Sequence, residues 1–320
     1  MSAASAIATG IRAASRVSPD LAAAIALPLF RRVGTRAPVV AADLATHRAA
    51  RRGTVRIPGI RRTGVDVVTY EWGAGERTVL LAHGWQSRAS MFAPLVRELT
   101  SEGFRVLSFD GPANGDSPGR HTYVVDHLDV IGELTRREGP WHAIVGHSFG
   151  SLAALMSVHG GTAATRVVGI ASAADPRIFV DGFGAILGLD AATRDALAVR
   201  YAAHDFTGQP DPFERYSAAR HPLPGGTPLL LVHDRGDLRI PFTESERLLE
   251  ANRDHARLLA TEGLSHNRVL RADVTLDAVM EFVLAHDASD AFSAVEALGA
   301  AEALGAVGGI ELSRPASRRR

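Results

Sequence analysis

Short apolar runs recur along this chain at wide intervals, and helical patterning lies between most of them. The runs fall near residues 78–82, 104–109, 142–146, 166–171, 228–232 and 256–260. Runs this short and this apolar suit strands buried on both faces. Helical patterns at 90–101, 122–137 and 149–159 separate the earlier ones. This alternation predicts a doubly wound, mostly parallel α/β sheet covered by helices on both sides. Residues 54–57 and 65–70 instead alternate polar with apolar, with Pro58-Gly59 and Thr63-Gly64 between them. They read as an antiparallel pair at one edge, bringing the sheet to eight strands.

One connection breaks the rhythm. The gap between the run at 166–171 and the run at 228–232 is too long for a single crossover. It holds helical stretches such as 191–204, broken by Gly208-Gln209-Pro210. It is also rich in rings: Phe179, Phe183, Tyr201, Phe206, Phe213 and Tyr216.

The chemistry is concentrated at the carboxyl ends of the predicted strands, where open α/β sheets carry it. Gly146-His147-Ser148-Phe149-Gly150 reads G-x-S-x-G between an apolar run and a small-residue helical run. That context suggests a nucleophile elbow, a turn so tight that glycine must flank the serine. Upstream, the run at 78–82 ends at His83-Gly84-Trp85. A loop there can aim the Trp85 N–H at a carbonyl oxygen that the Phe149 N–H also reaches, forming an oxyanion hole. Downstream, the run at 228–232 enters a turn with Asp234 and Asp237, and the run at 256–260 precedes a loop with His266. Serine, aspartate and histidine in that order suit this architecture. A serine hydroxyl needs a neutral imidazole to take its proton, and a carboxylate to fix the imidazole tautomer.

In these motifs, together with the turn from Asp110 to Ser117, the chain resembles the α/β-hydrolase fold family over roughly residues 52 to 286. The resemblance implies Ser148 as nucleophile, His266 as base and Asp237 as acid. It implies a core at 47–171 and 227–286 with a helical cap at 172–226, while the alanine-rich residues 1–46 read as an N-terminal helical lead and the Ala/Gly-rich residues 287–320 as a mobile tail. Two positions depart from the family pattern: Asn114 stands where many relatives carry histidine, and Asp234 where many carry glycine. Asp234 is therefore a second candidate acid, and Asp175, after the sixth strand, a third. Asp237 is preferred because Leu238-Arg239-Ile240-Pro241 follows it at the family's usual spacing. Trp85, Met91, Phe179 and Phe183 are candidates to line a substrate pocket, or to fill local cores.

The activity implied is hydrolysis of a carboxylic ester through an acyl-enzyme, with a small acyl compound as substrate and no cofactor. An acyltransferase, thioesterase, peptidase or cofactor-free perhydrolase would use the same groups. A non-catalytic binding protein is the alternative of a different class. Serine at 148 disfavours the aspartate nucleophile of dehalogenase and epoxide-hydrolase relatives.

Composition removes other readings. Formal net charge is +0, so nothing favours nucleic acid. There is no cysteine, which excludes a thiol nucleophile, disulfides and thiolate metal sites. All 35 basic residues are arginine, which excludes a Schiff-base lysine and a lysine-bearing phosphate loop. The 13 histidines contain no HExxH pair, and no metal site is assigned. Residues 21–27 are apolar but too short to span a bilayer. A cytoplasmic protein is expected, with peripheral membrane contact through the N-terminal helix left open; oligomeric state is not readable.

Overall fold

The alternating runs become one mixed sheet of eight strands. The computed structural model describes residues 3–59, 64–286 and 292. Helices α1 (Ala3–Val17), α2 (Pro19–Phe30) and α3 (Leu44–Ala49) come first. Strands β1 (Arg51–Ile57), β2 (Val65–Trp72) and β3 (Thr78–Ala82) follow. Then come α4 (Ala93–Ser101), β4 (Arg105–Asp110), α5 (Val124–Glu138), β5 (Ala143–His147), α6 (Phe149–His159) and β6 (Val167–Ile170). Helices α7 (Arg177–Leu187), α8 (Ala191–Asp205) and α9 (Pro212–Arg215) fill the long gap. The chain closes with β7 (Leu229–Asp234), α10 (Phe242–Ala251), β8 (Ala256–Thr261), α11 (Ser265–Arg268) and α12 (Asp273–Leu284).

The strand order is β1-β2-β4-β3-β5-β6-β7-β8. The β1–β2 and β2–β4 pairs are antiparallel, and every later pair is parallel. This is the α/β fold expected from the runs, with the antiparallel pair at one edge. The expected tail from Asp287 onward, Phe292 apart, lies outside the described residues.

The strand side chains divide by parity, as a period of two requires. Leu80, Ile144 and Leu231 point into one core with Leu152 of α6 and Leu248 of α10. Val79, Leu81, Val145 and Val232 point into the other with Leu95 and Leu99 of α4 and Phe282 of α12. Each of these side chains is almost wholly buried, a burial worth about 1.5–3 kcal/mol apiece.

A third cluster stands apart from the sheet. Ile11, Ala22, Ala23, Ala26 and Leu27 of the first two helices pack with Val180, Leu197 and Ala198 of α7 and α8. Local signals start and stop these helices. Ser18 caps α2 with Pro19 at its first position, Gly188 in the left-handed region ends α7, and Asp190 caps α8 by accepting from the Thr193 N–H.

Candidate active site

The turn from β5 to α6 puts Ser148 at φ 54°, ψ −120°. Few non-glycine residues tolerate that conformation, so packing must hold it. The flanking glycines are sterically required. A Cβ at Gly146 would lie 2.4 Å from Ser151 Cα, and one at Gly150 would lie 2.2 Å from the Ala82 carbonyl oxygen. Ser148 is only 5 % exposed.

The loop after β3 lies against this turn. A Cβ at Gly84 would sit 3.1 Å from that of Ser148. Phe149 is the first residue of α6, so its N–H is among the donors a helix leaves unused, at the positive end of the dipole. The rings of Trp85 and Phe149 meet edge to face at 5.8 Å.

His83 fixes this loop from within. Its Nε2 accepts from the Gly111 N–H at 2.8 Å, so Nδ1 carries the proton and donates to the Gly84 carbonyl at 2.7 Å. Burial lowers the His83 pKa and keeps the ring neutral. Asp110 anchors the far side, accepting from the Ala89 N–H at 2.7 Å, the Asp116 N–H at 2.7 Å and the Tyr70 hydroxyl at 2.8 Å. Arg88 reaches Asp116 at 2.9 Å. Asn114, one of the departures, donates to the Pro112 carbonyl within its own turn.

His266 is brought to the elbow by its neighbour's ring. The His147 and His266 rings lie 4.9 Å apart, and His147 Nε2 donates to the His266 carbonyl at 2.9 Å. Burial, reinforced by His266, holds His147 down to about 3, so it serves as a neutral spacer. Nδ1 of His266 lies 2.6 Å from Oδ2 of Asp237. The carboxylate draws the imidazole proton to Nδ1 and leaves Nε2 free to accept one.

Asp237 is held as an anion on both oxygens. Oδ1 accepts from the Arg239 and Ile240 N–H groups at 2.8 and 3.1 Å. His233 Nε2 lies 3.3 Å from Oδ2 and 3.0 Å from the Ile240 carbonyl. Its Nδ1 faces the Ser245 hydroxyl at 2.7 Å. Burial pushes the Asp237 carboxyl up, but the His233 and His266 hydrogen bonds outweigh it and hold the pKa well below the usual range.

The other two acids are engaged elsewhere. Asp234 accepts from the Gly236 N–H at 3.0 Å, the Leu264 N–H at 2.8 Å and the Thr261 hydroxyl at 3.1 Å. It ties β7 to the loop that carries His266. Asp175 accepts from the Arg177 N–H at 2.9 Å and faces Arg247 at 3.7 Å.

The four pocket candidates part company. Phe179 meets the Phe149 ring at 5.2 Å, and Trp85 meets it from another side. Phe183 packs on Phe30 of α2 at 5.4 Å, within the third cluster. Met91 takes a contact from the Ser87 hydroxyl and packs on the core beside α4 and α12. One cavity of about 650 Å³ is lined by Val125, Asp129, Asp205, Thr207 and Tyr216, and another of about 700 Å³ by His159, Glu214, Arg215 and Arg220; neither is lined by Ser148 or His266. Among the described residues, no group of three or more His, Cys, Asp or Glu side chains could hold a metal ion.

The readings from sequence lacked the supporting role of Asp110 and the contact between His233 and Asp237. The last has a faint signal, since the two are four residues apart across one turn.

The alpha/beta hydrolase family model matches residues 79–309. The chain belongs to that family. Among solved structures it is similar to an esterase from Pyrococcus furiosus, at 20 % identity, covering 78 % of this chain and 96 % of that one with a TM-score of 0.55. It is also similar to a monoacylglycerol lipase from Paleococcus ferrophilus, at 22 % identity, 70 % and 99 % coverage and a TM-score of 0.52. Mouse alpha/beta hydrolase domain-containing protein 10 is similar at 17 % identity, 71 % and 95 % coverage and a TM-score of 0.54.

Proposed function

We propose that this protein is a serine hydrolase that cleaves a carboxylic ester, with Ser148 as nucleophile, His266 as general base and Asp237 as the orienting acid. The observation that carries the reading is the strained Ser148 backbone at the head of α6, with the ring of the preceding residue, His147, 4.9 Å from an imidazole whose Nδ1 is engaged by a buried carboxylate.

The steps follow from these groups. Ser148 Oγ attacks the acyl carbon as its proton passes to His266 Nε2. The N–H groups of Trp85 and Phe149 hold the oxygen that becomes negative. Asp237 stabilises the imidazolium, which then protonates the departing alkoxide. Water attacks the acyl-enzyme by the same route in reverse and releases the acid. The rings of Trp85, Phe149 and Phe179 favour an apolar acyl group. Residues 172–226 act as a cap that must yield for a substrate to enter, since Ser148 and His266 are both buried.

The test is labelling by a fluorophosphonate probe. Ser148 in the folded protein takes the label; heat-denatured protein and Ser148→Ala do not. A well-folded chain that resists the probe contradicts the reading and favours a binding protein.

A further inference from the structure

Helix α2 is apolar on both faces, and only one of them is covered. Ala22, Ala23, Ala26 and Leu27 are buried against neighbouring helices. Leu21, Ala24, Ile25 and Pro28 are exposed, at spacings of three and four residues, which places them on one stripe. Leu21 is 49 % and Ile25 44 % exposed. Helices with two apolar faces are normally covered on both.

The helices packed with α2 carry further exposed apolar side chains. Val17 at the end of α1, Ile186 on α7 and Val199 on α8 are also exposed. Arg12 of α1 donates to the carbonyl of Leu187, next to Ile186. Asp20 of α2 pairs with Arg200, next to Val199. One packed group of four helices thus presents most of the large exposed apolar side chains among the described residues. Exposed apolar side chains gathered on one helix group suit an interaction surface.

Charge selects the occupant. Residues 1–36 carry Arg12, Arg16, Arg31, Arg32 and Arg36 against a single acid, Asp20, in a chain whose formal net charge is +0. Arg31 is spent on Asp205 at 3.0 Å, while Arg12, Arg16, Arg32 and Arg36 are exposed. An apolar stripe on an arginine-rich N-terminal segment suits the boundary between acyl chains and anionic headgroups. A second copy of the same face would bring like charges together. No helix among the described residues is long and apolar enough to cross a membrane, so contact would be from one side.

We propose that the α1–α2 pair is a docking face for an anionic lipid surface. The face does not include Ser148, and the proposal stands apart from the reaction assigned there.

The experiment is co-sedimentation of the full chain with phosphatidylcholine vesicles, with and without phosphatidylglycerol. Binding is expected to vesicles containing phosphatidylglycerol and to fall with added salt. Leu21→Ser with Ile25→Ser should weaken it by about tenfold or more. Arg12→Gln with Arg16→Gln should lower the preference for phosphatidylglycerol by about tenfold. Circular dichroism and thermal melting report the fold of each variant, and no turnover is needed for any of these readings. Absence of vesicle binding, or equal binding by wild type and the serine pair, overturns the proposal. So does a dimer in sedimentation velocity that the serine pair converts to monomer, since a second copy would then cover the stripe.

Discussion

His266 Nδ1 and Asp237 Oδ2 lie 2.6 Å apart, and both side chains are buried. Asparagine at 237 could donate where the carboxylate accepts, turning the imidazole to the wrong tautomer. Asp237→Asn should therefore lower kcat on a short p-nitrophenyl ester by about 10⁴-fold. Asp234→Asn disturbs the hydrogen bonds from Leu264 and Thr261, so it should cost about 1–3 kcal/mol of stability and less than about tenfold in kcat. Asp175→Asn should leave turnover near wild type. Steady-state rates normalised to folded protein rank the three acids, and a larger loss at Asp234 or Asp175 would move the acid there.

The glycine at 150 is a packing requirement, and the one at 132 is not. An added Cβ at Gly150 meets the Ala82 and His83 carbonyl oxygens at 2.2 and 2.4 Å, whereas Gly132 in α5 has nothing within 4 Å. Gly150→Ala should destabilise the fold by about 1–3 kcal/mol and displace the loop before Trp85. Gly132→Ala should stabilise by about 0.5–1 kcal/mol through helix propensity alone. Urea midpoints decide; similar shifts at both positions would mean that backbone contact at 150 is unimportant.

The sheet was legible because its strands are buried on both faces and so read as apolar runs. The run at 228–232 nonetheless continues through His233 and Asp234 in β7. These polar residues are buried with partners of their own, which hydropathy cannot register. The pattern read as helix from 90 begins as a tight 3₁₀ turn at Ala89–Phe92 before α4. Ser148, Asp237 and His266 could be picked out because each follows a strand end. The support around them joins distant loops, as His83 does with Gly111, or depends on a tautomer, as at His233. Periodicity carries neither. Phe183 and Met91 show the same limit, because which neighbour an aromatic or thioether meets is settled by packing. In α2 both faces are apolar, so the pattern could not say which would be covered.

Three buried histidines make stability sensitive to mild acid. Burial lowers the pKa of His83 and, well below the ordinary value, of His127, and holds His147 down to about 3. In the unfolded chain each titrates near about 6.5. Below that pH the unfolded state binds more protons, so stability is full above it and falls as pH drops. The loss per histidine is at most about 1.4 kcal/mol per pH unit, and for His147 it runs down to about 3. The lowered Asp237 adds its own loss only below about 4, where the unfolded carboxyl protonates. Urea unfolding at a series of pH values between about 7.5 and about 5 should show a shallower slope for His147→Gln than for wild type. Parallel slopes would mean that His147 is protonated in the folded protein.

Gln86 ties the loop of Trp85 to the N-terminal segment, and this bond should be felt in turnover. Gln86 adopts φ 53°, and its Nε2 donates to the Val33 carbonyl. The Val33 N–H donates to the Arg120 carbonyl at 3.0 Å, and Arg88 reaches the Ala37 carbonyl at 3.3 Å. Two residues before Val33, Arg31 pairs with Asp205 at the end of α8. The segment therefore braces the loop from outside while His83 braces it from within. Gln86→Ala removes this side-chain donor to Val33 without touching the proposed reacting groups. We expect kcat to fall about tenfold with KM changed less than about twofold, the loss of one hydrogen bond's worth of positioning. Gln86→Glu, which cannot donate, should match it. A trifluoromethyl ketone that mimics the tetrahedral intermediate should lose affinity by the same factor as kcat/KM, because the proposed Trp85 donor acts on the negative oxygen of both. Unchanged inhibitor affinity beside a lowered melting temperature would mean that the bond supports the fold and not the oxyanion donors.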